Sequence, residues 1–381
     1  MLRILLAGDY PPDARLGSTK VLVKLQEEFR QLGHTCDLLL ADRLTAAPRN
    51  PYLRQAFGPI AALRAIQQQM ATQGPYDILD IASAEGLWVG ALRPGELRKA
   101  AVVSRSNGLE HLNYRRMLDD HAAGLLYKPW SRRLFHPAVR LTQVAAAARH
   151  ADRLLLLNDM DRDFVLAQGW KDQADIDVVP HGVSSRFLVD APPADQPRGR
   201  GLLFCGSWTG VKGTAYLADA FTRVVRGGTG VNLTILGGGI PEADVRGAFP
   251  ADVQPWLTVQ ERASEDVVMA AYRTHDALIW PSTYEGFGMV VVEAMSQRLP
   301  VIATPVGCAA SLVEDEVSGL RVPARDAEAL AAAIRRLLQS PDLRARCANA
   351  AAVKAQTMSW TATAQRTLDV YDRAMVGARA H

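Results

Sequence analysis

Residues 2–7 form a short apolar run interrupted only by Arg3, followed by a loop from Gly8 to Gly17 that carries two prolines. Val21, Leu22, Leu25, Phe29 and Leu32 then recur at the spacing of one helix face, and Gly33 stops that helix before a second apolar run at 36–40. The second half of the chain repeats this layout. Residues 201–205 are apolar, a glycine-bracketed loop runs from Gly206 to Gly213, and Leu217, Phe221 and Val224 mark a helix face. Gly227 and Gly228 end it, and 231–236 is the next strand. Continuous apolar strands alternating with amphipathic helices predict parallel sheets covered on both faces. Two such openings predict an α/β protein with two doubly wound, Rossmann-like domains facing a central cleft.

Residues 178–182 end a strand, and the prolines and glycine between 191 and 199 read as a connector. The predicted division is 1–184, a linker at 185–200, and 201–360. Residues 325–338 are amphipathic, Ser340 and Pro341 read as a helix cap and first position, and apolar spacing continues from Trp360 to Met375.

A length of 381 residues suits two domains, and 48% hydrophobic against 22% charged residues predicts a packed globular protein. A net charge of +3 is too mild to imply nucleic acid. The four cysteines (Cys36, Cys205, Cys308, Cys347) form no CxxC pair, so neither zinc nor a disulfide framework is expected. The opening residues read as a strand rather than a secretory leader, and no apolar stretch is long enough to span a bilayer. The expected compartment is the cytoplasm.

The densest chemistry lies between Glu285 and Glu293. The apolar run 276–280 reads as a buried strand ending at Pro281 and Ser282, and a turn with Gly286 and Gly288 leads into a helix. That order aims backbone N–H groups at an anion. Glutamate is ordinarily surface charge, but these two have apolar neighbours and sit at a strand's carboxyl end, where open α/β sheets bind ligands. Two acids beside an anion site suit a phosphate bearing hydroxyl-rich groups, such as a nucleotide sugar. Lys212, in its glycine-bracketed loop before a helix, is either a solvated lysine or the counter-charge to a diphosphate. Gly17 and Ser18 open the first helix and serve equally as an ordinary turn or as phosphate-binding amides.

Other candidates read more plainly. Asp159 and Asp161 resemble a metal pair, but Asn158 can cap a helix and acids in its first turn favour the dipole. Gly237 to Gly239 lacks the GxGxxG spacing of a dinucleotide loop. The basic stretch Arg115, Arg116, Lys128, Trp130, Arg132, Arg133, Phe135 and Arg140 reads first as a solvated face, and more sharply as a peripheral contact to anionic lipid at the inner membrane face.

Taken together, these motifs resemble the family 4 glycosyltransferases, retaining enzymes of the GT-B fold, over nearly the whole chain and most strongly from Gly201 to Pro323. The resemblance rests on the E-x7-E element Glu285 to Glu293, Pro281-Ser282, the run from Pro300 to Gly307, and Ser318-Gly319. In the first half it rests on Tyr10 to Pro12, Gly17-Ser18, Gly33-His34 and Pro180 to Val183. It implies that Glu285 and the backbone of Gly286, Phe287 and Gly288 hold the donor sugar, and that Glu293 holds the ribose diol. Lys212, Gly17, Ser18 and Ser207, with the amides of Met289 and Val290, would hold the diphosphate. It also implies that the last helix, 361–381, packs back on the first domain.

Three positions depart from the family pattern. Ser207 stands where many members have arginine, Asn107 where many have a histidine (with His111 four residues on), and Arg298 where a glycine is usual. The expected activity is metal-independent, cofactor-free transfer of a hexose-type sugar from a nucleoside diphosphate to an acceptor hydroxyl on a sugar, a lipid-linked glycan or a small molecule. Asn107 or His111 would take the histidine's catalytic role beside Lys212 and Glu285. Acceptor choice is expected in loops within 42–66 and 105–140. A sugar-nucleotide epimerase and a non-catalytic nucleotide-sugar-binding protein are the alternatives, and a nicotinamide-dependent oxidoreductase is disfavoured.

Overall fold

The apolar runs become strands buried along their length, as parallel strands covered on both faces must be. The structure is a computed structural model. It describes the chain except residues 14–16, 45–47, 49, 125–129, 190, 194, 195, 197 and 379–381, and except the side chains of 130–132 and 378. Among the described residues there are two six-stranded sheets, and their strand pairings are parallel. The first comprises β1 (Arg3–Ala7), β2 (Thr35–Leu39), β3 (Ile78–Ala82), β4 (Ala101–Arg105), β5 (Arg153–Leu156) and β6 (Ile176–Val178), in the order β2-β1-β3-β4-β5-β6. The second comprises β7 (Leu202–Cys205), β8 (Leu233–Leu236), β9 (Leu257–Gln260), β10 (Ala277–Trp280), β11 (Val301–Ala303) and β12 (Leu320–Arg321), in the order β12-β11-β10-β7-β8-β9.

The chain divides into two units. The first holds Met1–Arg115, Tyr127–His181 and Trp360–His381; the second holds Arg116–Leu126 and Gly182–Ser359. Each sheet reverses its direction of growth once. In the first unit the chain builds β2 on one flank of β1 and then β3 on the other. In the second it builds β8 and β9 on one flank of β7, then β10 on the other. Ligands of open α/β sheets bind outside the carboxyl ends of the strands at such reversals.

Several local expectations hold in detail. Gly33 has φ +86° at the end of the helix Gly17–Gln31, and Ser340 and Asn158 cap their helices by accepting from the amides of Leu343 and Asp161. Others need correction. Residues 185–189, assigned to the linker, form the helix Ser185–Val189. Its Phe187 is buried and its Phe187 carbonyl accepts from Gln297 Nε2 at 2.6 Å. Much of 42–66 and 105–140, within which the acceptor-choosing loops are expected, is helical: Pro51–Gln73 and Glu110–Ala122. Asn50 caps the first of these with Pro51 behind it, a start signal hidden by proximity to Pro48.

In the first unit, His181 is buried beside Trp360, with ring centroids 5.7 Å apart. Burial first, and then the Arg105 charge, push its imidazole down to about 3. The unfolded chain therefore takes up a proton near pH 6.5 that the folded chain refuses. The stability contribution is intact above pH 6.5 and is lost as pH falls towards 3. At pH 5 the expected loss is about 2 kcal/mol from this residue. Opening free energies of the best-protected amides of the first unit, from native-state hydrogen exchange at pH 7 and pH 5, should show that loss shrinking in His181→Gln; an equal acid sensitivity in both proteins would overturn the assignment.

Candidate functional site

The direction reversal of the second sheet lies between β7 and β10, and the loops leaving those two strands carry the predicted residues. After β7, residues Gly210–Lys212 make one tight turn closed by Gly213 at φ +69°. A Cβ on Gly213 would lie 1.9 Å from the Pro281 carbonyl oxygen, so only glycine lets this loop sit against the end of β10. Thr283 ties the loops further, its amide donating to the Val211 carbonyl at 2.8 Å. Lys212 is thereby delivered to Glu285: its ammonium forms an ion pair with Glu285 Oε1. Ser282 Oγ donates to the same oxygen at 2.9 Å. Glu285 is 8% exposed, so this carboxylate is held by partners rather than by water.

The turn from Glu285 into the next helix is equally constrained. Gly288 has φ +91° and opens the helix Met289–Ser296, whose first amides, including those of Met289 and Val290, have no carbonyl of their own helix to bond. The Cys308 amide donates to the Phe287 carbonyl at 2.7 Å. A Cβ on Gly307 would stand 2.4 Å from that same oxygen. A buried carboxylate, an ammonium and a helix start thus converge at one point. That arrangement can bind an anion and hydroxyl groups together. Ser207 is exposed in the same loop as Lys212.

Glu293 lies in the second turn of that helix. The Tyr272 hydroxyl donates to its Oε2 at 3.1 Å and also shares a hydrogen bond with the Cys205 thiol. Burial, then the charges of Cys205 and Glu293, hold the Tyr272 hydroxyl well above its usual range, so it stays a donor. Burial and Glu293 push the Cys205 thiol up to about 12. Sequence reading missed Tyr272. Its only signal is a tyrosine on the buried face of the helix Glu265–Thr274, immediately before β10.

In the first unit, Gly17 and Ser18 open their helix, and Gly17 is exposed. Asn107 follows β4, and its Nδ2 donates to the Tyr10 hydroxyl at 3.2 Å while its Oδ1 is buried without a partner. Tyr10 follows β1, at the reversal of the first sheet. His111 is placed differently. Its ring lies against Trp170 at 4.5 Å and Phe164 at 5.8 Å, and burial lowers its imidazole to about 4. It is a neutral member of an aromatic cluster, whereas Asn107 stands at the strand ends.

The basic stretch is not a continuous free face. Arg140 donates to Glu85 at 2.6 Å and to Glu110 at 3.1 Å, and is largely buried. Arg116 pairs with the buried Asp120, which also accepts from Arg325 at 3.1 Å. Arg115 lies over the Phe164 ring at 4.6 Å. Lys128 and the side chains of Trp130 and Arg132 lie outside the described residues. Asp161 is fully buried and accepts from the Leu109 amide at 3.2 Å, so it serves the fold. No group of three His, Cys, Asp or Glu side chains able to hold a metal gathers among the described residues, and no described helix is long and apolar enough to cross a membrane.

Residues 199–340 match the family model described as Glycosyl transferases group 1. That segment contains Lys212, Glu285 and Glu293. Over 97% of the chain, the structure resembles a sucrose-phosphate synthase from Thermosynechococcus elongatus, with a TM-score of 0.75, 20% identity and 98% of that chain covered. It also resembles Anabaena Alr3699/HepE in complex with UDP-glucose, with a TM-score of 0.70, 16% identity and coverage of 97% and 99%. The fold is GT-B.

Among curated proteins, the D-inositol 3-phosphate glycosyltransferase of Kineococcus radiotolerans is 31% identical over 63% of this chain and 61% of its own. The alpha-D-kanosaminyltransferase of Streptomyces kanamyceticus is 27% identical over 59% of this chain and 61% of its own. The GT-B chain therefore spans less than two thirds of these relatives. Their names share a glycosyltransferase activity but differ in the group transferred or the acceptor.

Proposed function

We propose that this GT-B protein is a retaining, family 4 type glycosyltransferase of the cytoplasm. It moves a hexose-type sugar from a nucleoside diphosphate to an acceptor hydroxyl. The observation that carries this reading is the meeting of Lys212, buried Glu285 and the Gly288–Met289 helix start at the reversal of the second sheet. In this reading Glu285 and the Gly286–Gly288 backbone accept and orient the sugar. Lys212 and the Met289 and Val290 amides take the diphosphate, with Ser207 adding a neutral donor. Glu293, aimed by Tyr272, takes the ribose diol.

The proposed chemistry is a front-face displacement. The bond from the anomeric carbon to the diphosphate oxygen breaks as the acceptor oxygen bonds the same face, and the acceptor proton passes to the departing diphosphate. The protein's share is positioning and charge stabilisation. The ammonium and helix start supply the positive charge, so the reaction is proposed to need no metal and no further cofactor. A lipid surface is not needed by this reading, since Arg116 and Arg140 are engaged within the protein.

The test is a thermal-shift screen against UDP, GDP, ADP and their common sugars, followed by product analysis in EDTA. A ligand at about 100 times its Kd should stabilise the fold by about 2.7 kcal/mol. With the donor so found, transfer to an acceptor should retain the anomeric configuration by NMR. A screen with no shift for any nucleotide would overturn the reading. Conversion of the donor without acceptor would point instead to an epimerase, and binding without turnover to a nucleotide-sugar-binding protein.

A further inference from the structure

We propose that Trp280 is a positioning residue of the donor site, holding the Lys212 ammonium in place through the face of its indole ring. The proposal rests on the reading that Lys212 meets the diphosphate. Trp280 is the last residue of β10 and is 1% exposed. Its ring lies against Phe204 of β7, with centroids 5.9 Å apart and planes at 25°. The Lys212 ammonium stands 4.7 Å from its ring centroid. The loop after β7 also closes over this ring at Gly206, where a Cβ would come within 3.3 Å of it. On the other side, the indole Nε1 faces the Gly288 turn, at 3.6 Å from where a Cβ would be. One ring therefore supports both the loop that carries the cation and the turn that opens the anion-binding helix.

Two observations separate this from ordinary core packing. The first is that Trp280 Nε1 is buried without a hydrogen-bond partner. A buried donor left unpaired is costly, and phenylalanine or leucine would fill a core without that cost. Tryptophan's compensating property is its face, which attracts a cation more strongly than any other aromatic side chain, most of all away from water. The second is that Lys212 has competing duties. In the structure its ammonium pairs with Glu285, but Glu285 is also the proposed acceptor of sugar hydroxyls. The ion pair alone cannot fix the ammonium once the donor arrives. The ring can, because its attraction does not compete for the carboxylate lone pairs.

The experiment measures calorimetric affinities for UDP, GDP and ADP, and for the matching nucleosides, in wild type, Trp280→Phe, Trp280→Leu, Lys212→Ala and the Trp280→Leu/Lys212→Ala double variant. Trp280→Leu should weaken the preferred diphosphate by about fivefold to thirtyfold, the effect of removing a desolvated cation–π contact, and leave the nucleoside within about twofold. Trp280→Phe should lose less. In the Lys212→Ala background, Trp280→Leu should cause no further loss. Equal losses for nucleoside and diphosphate, or an additive double variant, would overturn the inference and make Trp280 a packing residue.

A readout free of ligand accompanies these. The Lys212 Cε protons should resonate upfield of their random-coil position in wild type and move back to it in Trp280→Leu, or part-way in Trp280→Phe should the leucine variant not fold. Unshifted wild-type protons would overturn the proposal. Should the wild type bind no nucleoside diphosphate, the proposed function falls, while this proton shift still decides whether the ring holds the ammonium.

Discussion

Lys212→Ala is expected to lower turnover at saturating donor by about 10²–10³, the cost of removing one preorganised partner of a developing charge. The size follows from what Lys212 faces at each stage. In the structure its ammonium pairs with Glu285. In the proposed reaction the departing diphosphate gains negative charge as the glycosidic bond breaks, and a cation fixed at the helix start would gain attraction at that moment. Binding that strengthens only in the transition state appears in kcat rather than in KM. Lys212→Arg retains the charge and a guanidinium also stacks on an indole face, but its planar fork is not the compact ammonium that fits between Trp280 and Glu285. Steady-state kinetics on folded, monodisperse variants check this. A kcat within threefold of wild type for Lys212→Ala would remove Lys212 from the chemistry. A raised KM with unchanged kcat would reduce it to a ground-state contact.

The parts of this site that sequence made legible are those carried by local pattern. β7 and β10 are short apolar runs, and the loops leaving them announce themselves with Gly210, Gly213, Gly286 and Gly288. Side-chain pairing across the sheet is a different matter. Lys212 and Glu285 are 73 positions apart, and nothing local to either names the other. The same blindness misled the reading of the basic stretch. Arg140 meets Glu85 and Glu110, 55 and 30 positions away, so a side chain that looks like surface charge is consumed in a buried network. Tyr272 was silent for the related reason that a tyrosine on a buried helix face reads as core. Arg298 shows the converse. It was noticed as a departure from a usual glycine, and the backbone there has φ +55°, the left-handed region that glycine enters most easily. The departure is thus a matter of backbone conformation rather than of ligand contact.

The largest stability loss is expected from Asp80→Ala. Asp80 interrupts the apolar run of β3 and is 1% exposed. Its carboxylate accepts from Nε of the fully buried Arg105 on β4 at 3.0 Å and from the Tyr371 hydroxyl of the helix Trp360–Ala378. Asp80 therefore joins two strands of the first sheet to the segment that returns to this unit after residue 359. Arg105 Nη1 already has no partner. Without Asp80 the guanidinium would be a buried charge opposed by nothing but a phenol, and breaking such a pair costs roughly 3–5 kcal/mol. Because the chain has two units, one global unfolding curve would mix them. Native-state hydrogen exchange separates them: the best-protected amides of β3 and β4 should exchange about 10²–10⁴ times faster, and those of β7 should be unchanged. Asp80→Leu with Arg105→Met, which removes both charges and keeps the volume, should recover most of the loss. A double variant as unstable as Asp80→Ala would show that the stabilisation comes from the hydrogen-bond geometry of the triad rather than from pairing a buried charge.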